Sequence, residues 1–230
     1  MGKSRAKPVD HLILPSNRSD NGIDMVRSVT DGQYVYLRNY LPYMPQARYI
    51  RYMEIGDIKQ HMRQDLAANK LTPLLASLFD PRPAEFLYDI QNDVWETQNL
   101  IDDPTQTARI KHMRTKLAEA VMKSRDVLFL PEYEISRLSK SPTPYAFRLD
   151  DDDSLLKEIF AAASLSGHRS VAVAQKQAQL IKSNNKIVRY WAVIGLRSQE
   201  KATLSPLKSE LTSASHDACT RRGHCLSPSV

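Results

Sequence analysis

The sequence predicts an α+β chain: a small antiparallel sheet with a long helix, followed by α-helical hairpins. Three observations carry this. Met25 to Val29 and Gln33 to Arg38 are rich in β-branched and aromatic residues and flank Asp31-Gly32, where a tight hairpin needs positive φ. After Asp103-Pro104, the residues Ile110, Met113, Leu117 and Val121 recur at spacings of three and four, the apolar stripe of a long helix. From residue 154 onward the pattern is helical, with Ser170 to Lys182 and Ile187 to Leu196 as helices joined by a Ser183-Asn184-Asn185 turn.

In chain order, Asn17-Arg18-Ser19-Asp20 reads as a polar element just before the first strand. Asp57 to Asn69 reads as a helix, and Thr72 followed by Pro73 as the cap and first turn of a short one. Glu85 to Asp89, entered from Pro81 and Pro83, reads as a third strand. Lys111, Arg114, Lys116 and Lys123 line the other faces of the long helix, most simply as a solvated surface. Residues 126–149 read as irregular because Pro131, Pro142 and Pro144 interrupt any periodicity.

Asp150 to Asp153 lacks the alternation and central glycine of a calcium loop, and reads as a helix-capping run before Leu155. A weak repeat near 30 residues aligns Ile181 with Leu211 and Ser183 with Ser213, while Lys201, Leu204 and Leu207 retrace the preceding helix. That suggests stacked helix pairs. The repeat then fails, because Ala218-Cys219 and Arg221-Arg222 stand where an apolar helix face should return. Two domains are expected, residues 1–149 and 150–230.

Composition excludes several function classes. Seven glycines, with no G-x-G-x-x-G and no G-x-x-x-x-G-K-[ST], leave no glycine-rich phosphate cradle. The formal net charge is +6, yet residues 71–103 hold seven acidic side chains against one basic. An acidic block inside a mildly basic chain makes nucleic acid a poor expectation. The longest apolar run, Tyr190 to Leu196, is far shorter than a membrane span, and Leu12-Ile13-Leu14 is too short for a signal peptide. Cys219 and Cys225 lie in the tail and match no strong metal spacing. His11, His61, His112, His168, His216 and His224 form no metal-binding helix motif, and no G-x-S-x-G elbow occurs.

One segment stands apart. Six of the ten tyrosines, Tyr34, Tyr36, Tyr40, Tyr43, Tyr49 and Tyr52, are interleaved with Arg38, Arg48 and Arg51. Such faces can stack on sugar rings or bases while arginine holds sulfate or phosphate through paired hydrogen bonds. Cross-strand packing is the simpler reading for Tyr34 and Tyr36.

Met25 through Pro42, then Arg51-Tyr52-Met53-Glu54-Ile55-Gly56, resemble the C-terminal subdomain of bacterial sulfatases, of the type similar to heparan N-sulfatases. Pro83 to Ile90, Asn92-Asp93 and Glu96-Thr97-Gln98-Asn99-Leu100 resemble that family's closing signature. The paired helices after residue 150 resemble the HEAT-like repeats that follow some of these enzymes. The resemblance covers roughly residues 17–200.

It implies a fragment. Family catalysis uses a Cys or Ser converted to formylglycine within C/S-x-P-x-R, which does not occur here; Cys225-Leu226-Ser227-Pro228-Ser229 has its proline one position late. The family's calcium carboxylates and catalytic Lys and His belong to a larger N-terminal region, the implied partner. This chain is thus expected to be inactive alone and to hold no cofactor, while its parent, exported by resemblance, would use calcium and formylglycine. Within the family such a part helps line the substrate cleft. Arg18 would grip sulfate and Asp20 accept from a sugar hydroxyl, with Arg38, Tyr43 and Arg48 as further contacts to a sulfated glycan. The alternative, from another class, is a non-enzymatic glycan- or nucleic-acid-binding module using residues 34–52.

Overall fold

In the computed structural model, which describes residues 10–138, 143–149, 154–208 and 212, the chain divides into two compact units, one ending at Asp126 and the other beginning at Val127. The first holds a four-stranded antiparallel sheet of β1 (Leu12–Ser19), β2 (Gly22–Thr30), β3 (Tyr34–Asn39) and, after α1 (Arg51–Ile55), α2 (Asp57–Ala67) and α3 (Pro73–Ser77), β4 (Glu85–Asp89). Spatial order equals chain order. The β2–β3 hairpin is closed as its residues require: Gly32 sits at φ 93°, and the Asp31 carboxylate accepts from the amides of Gln33 at 3.0 Å and Tyr34 at 2.7 Å. Thr72 caps α3 through Oγ1, ahead of its first-turn proline.

The long helix α4 (Thr107–Ser124) follows a single 3₁₀ turn, Pro104–Gln106, which Asp103 caps. All four residues of the expected stripe, Ile110, Met113, Leu117 and Val121, are buried. Ile110, Met113 and Leu117 pack on the sheet face of Val29, Tyr36 and Leu87, which stand opposite one another in register across β2, β3 and β4. Tyr34 and Tyr36 belong to this core, as cross-strand packing predicted.

The first strand was not legible. Leu12 to Ser19 pairs with β2 along its whole length, with a register break between Ser16 and Arg18, so the Asn17–Asp20 element lies in β1 and its turn rather than ahead of the first strand. Every residue of β1 is exposed or half-buried, so no inward face wrote a period-two pattern into the sequence. Pairing with β2 supplies the order instead.

The second unit is helical. After the 3₁₀ turn Val127–Phe129 come α5 (Glu132–Leu138), α6 (Pro144–Arg148), α7 (Ser154–Ala163), α8 (Val171–Leu180), α9 (Lys186–Arg197) and α10 (Lys201–Leu204), the last running into the 3₁₀ turn Ser205–Leu207. The expectation of irregular chain over 126–149 is corrected. Pro131 directly precedes α5 and Pro144 is the first residue of α6, positions where proline starts a helix because no backbone N–H is needed there. Ser170 and Asn185 cap α8 and α9.

Helices α7 and α8 pack on α9. Trp191 donates to the Phe129 carbonyl at 2.8 Å, and Phe160 meets the Phe129 ring edge-on. Fully buried Gln177 donates to the Leu165 carbonyl at 2.9 Å and accepts from Gln199 at 2.9 Å. Gly195 makes room for it, since a Cβ there would stand 2.3 Å from the Gln177 amide nitrogen. The Asp150–Asp153 run, the positions aligned at Leu211 and Ser213, and the cysteines lie outside the described residues.

Candidate functional site

The inward face of the sheet carries a row of charge where a second apolar layer would be expected. Arg27, Arg38 and Glu85 stand opposite one another across β2, β3 and β4, and both arginines are buried. Arg27 pairs with Asp126 at 2.5 Å and donates to the Val26 carbonyl. Arg38 donates to the carbonyls of Asn39 at 2.6 Å and Ala84 at 3.0 Å, and its guanidinium lies 4.9 Å from the centre of the Tyr40 ring. Glu85 accepts a two-pronged grip from Arg114 of α4, at 2.8 and 2.9 Å, and the Tyr36 hydroxyl.

The electrostatics follow from burial. Desolvation lowers the Arg38 pKa and pushes the Tyr40 hydroxyl up to about 12. Burial also raises the Glu85 carboxyl, but the Arg114 and Tyr36 hydrogen bonds outweigh it and leave Glu85 below its ordinary value.

A second cluster centres on buried Asp24. Arg82 grips it at 2.6 and 3.2 Å, Arg48 pairs with it at 3.3 Å, and the Met25 amide donates to it at 2.9 Å. Arg82 also donates to the Met44 carbonyl at 2.7 Å, tying the chain between β3 and α1 to β2. Arg48 is buried, with its Nε lacking a hydrogen-bond partner, while its carbonyl accepts from Lys59. Nearby, Glu54 pairs with Lys59 at 2.7 Å and Arg63 at 2.9 Å; the hydrogen bonds from Arg63 and Lys59 bring its carboxyl down to about 2.

The candidate residues thus fall into distinct settings. Arg18 and Asp20 are exposed, on β1 and at a turn residue with φ 51°. Tyr43 is half-buried, whereas Arg38 and Arg48 direct their guanidinium groups to protein partners. Tyr34, Tyr36 and Tyr40 are buried, and Tyr49 and Tyr52 are exposed. The Tyr/Arg segment therefore divides between core and surface. Asp24, Arg82, Glu85 and Arg114 organise these surroundings and were missed; the available signal was Arg27 and Arg38 at inward strand positions, between residues of the apolar set.

Among the described residues no group of three or more His, Cys, Asp or Glu is placed to hold a metal ion, and no helix is long and apolar enough to cross a membrane.

No family model matches the chain. An ulvan-active sulfatase of Formosa agariphila is 28% identical over 136 residues, which cover 59% of this chain and 23% of that protein. The chain is sulfatase-like over that stretch. It spans less than a quarter of the relative's length, so the similarity is to a part of a sulfatase, and the α+β class agrees with the expectation from sequence.

Proposed function

We propose that this chain is the C-terminal part of a sulfatase of the heparan N-sulfatase-like type, followed by HEAT-like helix pairs, and that it helps line a sulfated-glycan cleft without being catalytic alone. The parent would hydrolyse sulfate esters or sulfamates with formylglycine and calcium held in its N-terminal region. The supporting observation is the 136-residue similarity to a sulfatase of which it matches only 23%. In this reading the exposed Arg18 and Asp20 face the sulfated sugar, half-buried Tyr43 is a further contact, and Arg38 and Arg48 shape the scaffold behind.

The test has two arms. The purified chain should show no turnover of 4-nitrophenyl sulfate; turnover would overturn the fragment reading. It should bind a heparin oligosaccharide with an affinity that falls roughly tenfold in Arg18→Ala, the scale of one lost charged hydrogen bond, at unchanged melting temperature. Equal binding by Arg18→Ala removes that residue from the cleft.

A further inference from the structure

After β4 the chain makes a tight loop whose tip is apolar. Val94 is 71% exposed and Trp95 85% exposed. The loop beneath them is built to hold this position: the Asp93 carboxylate accepts from the amides of Thr97 at 2.7 Å and Gln98 at 2.8 Å and from the Thr97 hydroxyl at 3.1 Å. Asp89 likewise accepts from the Asn92 side chain at 2.8 Å and the Gln91 amide at 3.2 Å. Glu96, next to the tryptophan, is held at φ 51°, a conformation that a non-glycine residue adopts at a cost.

The same chain completes such an arrangement elsewhere. At the β2–β3 turn, Asp31 accepts backbone amides in the same way, and Arg109 lies over the following aromatic, Tyr34, at 3.7 Å from the ring centre. Its Nη1 stands 3.6 Å from the Asp31 carboxylate. A turn aspartate, an aromatic ring and an arginine thus form one unit. In the loop at 92–98 the aspartate and the ring are present, and among the described residues no cation stacks on Trp95.

We propose that Trp95, with Asp93 and Glu96, is a docking point for an arginine presented by a partner protein. Tryptophan offers the strongest ring face for a cation, and a planar guanidinium can stack on it while a carboxylate holds its edge. Charge selects the class of partner. The loop and its root carry Asp89, Asp93 and Glu96, and residues 83–108 contain no Lys or Arg, which favours a basic protein surface and repels sulfated glycans and nucleic acid. The inference is independent of the sulfatase reading.

The experiment uses the whole chain labelled with ¹⁵N, in which Trp95 and Trp191 supply two indole N–H signals, one exposed and one buried. The probes are a blocked Gly-Arg-Gly-Arg-Gly peptide, its lysine counterpart, cellohexaose and a heparin hexasaccharide. The arginine peptide should move the Trp95 signal and leave Trp191 in place, binding roughly threefold more tightly than the lysine peptide and weakening as salt rises. Trp95→Ala should abolish the accompanying shifts at the Thr97 and Gln98 amides without altering the melt, and Glu96→Gln should weaken binding roughly threefold. An unmoved Trp95 signal, equal binding of both peptides, or movement of the Trp95 signal by either oligosaccharide would overturn the proposal; heparin binding that leaves Trp95 in place bears on the Arg18 cleft alone.

Discussion

Asp24 shows how single residues hold the first unit together. Two guanidinium groups and a backbone amide converge on it inside the protein, so Asp24→Asn would keep the shape while leaving Arg48 and Arg82 without their counter-charge. Breaking a buried pair in this way costs about 3–5 kcal/mol, to be read from urea melts of wild type and variant. Glu85 sets an acid limit. Its folded pKa lies below the ordinary 4.5, so its contribution is complete above the unfolded value and is lost as pH falls through the folded one. Stability of the sheet unit should therefore decline on acidification below about pH 4.5, and Glu85→Gln should flatten that dependence in denaturant melts. Of this network the sequence showed only Arg27 and Arg38 at inward strand positions. An arginine at an inward strand position looks like any other charge until the partners it donates to, distant along the chain, are known: the Asp126 carboxylate for Arg27, and the carbonyl of Ala84 for Arg38.

Elements were legible where periodicity and punctuation agree. The stripe of α4 could be read because its four apolar residues share one helix face and all four are buried. Met113 is wholly buried at its centre, and Met113→Ala should cost about 2–5 kcal/mol in thermal or chemical unfolding. A cost below about 1 kcal/mol would show that the stripe is not the anchor of the sheet. The β2–β3 hairpin was legible from Asp31-Gly32, and α8 and α9 from the capping residues that bound them. Failures came from two different causes. Strand β1 has no buried face, while α5 follows a proline and α6 begins on one, and a proline marks a helix start as readily as an interruption. For the candidate site, proximity in sequence misled. Six tyrosines close together along the chain divide between core and surface: Tyr34, Tyr36 and Tyr40, in and just after β3, are buried, Tyr43 is half-buried, and Tyr49 and Tyr52, at and just before α1, are exposed.

At the scale of the molecule, the sheet packs one face on α4 and leaves apolar side chains open on the other. Leu12 and Leu14 lie in register with Thr30 and Ser28 on that second face and are 57% and 54% exposed, with Val35, Leu37, Phe86 and Tyr88 half-buried across it. Apolar surface of this kind marks an interaction site. The native chain should accordingly enhance the fluorescence of anilinonaphthalene sulfonate, and Leu12→Lys with Leu14→Lys should remove roughly half of the signal. No enhancement would mean that the face is adequately covered as it stands. The first strand also bounds what this exposed surface can become. Among the described residues it is an outermost strand with three consecutive apolar residues, the kind of segment onto which another chain can add a strand and seed a fibril. Directly after Leu14 comes Pro15, which carries no N–H, and two residues later the register breaks. A strand laid along this border finds about three residues of regular ladder before the pattern is interrupted, too few for a lasting cross-β contact. The chain can thus expose a sticky strand to a globular partner while denying it to copies of itself.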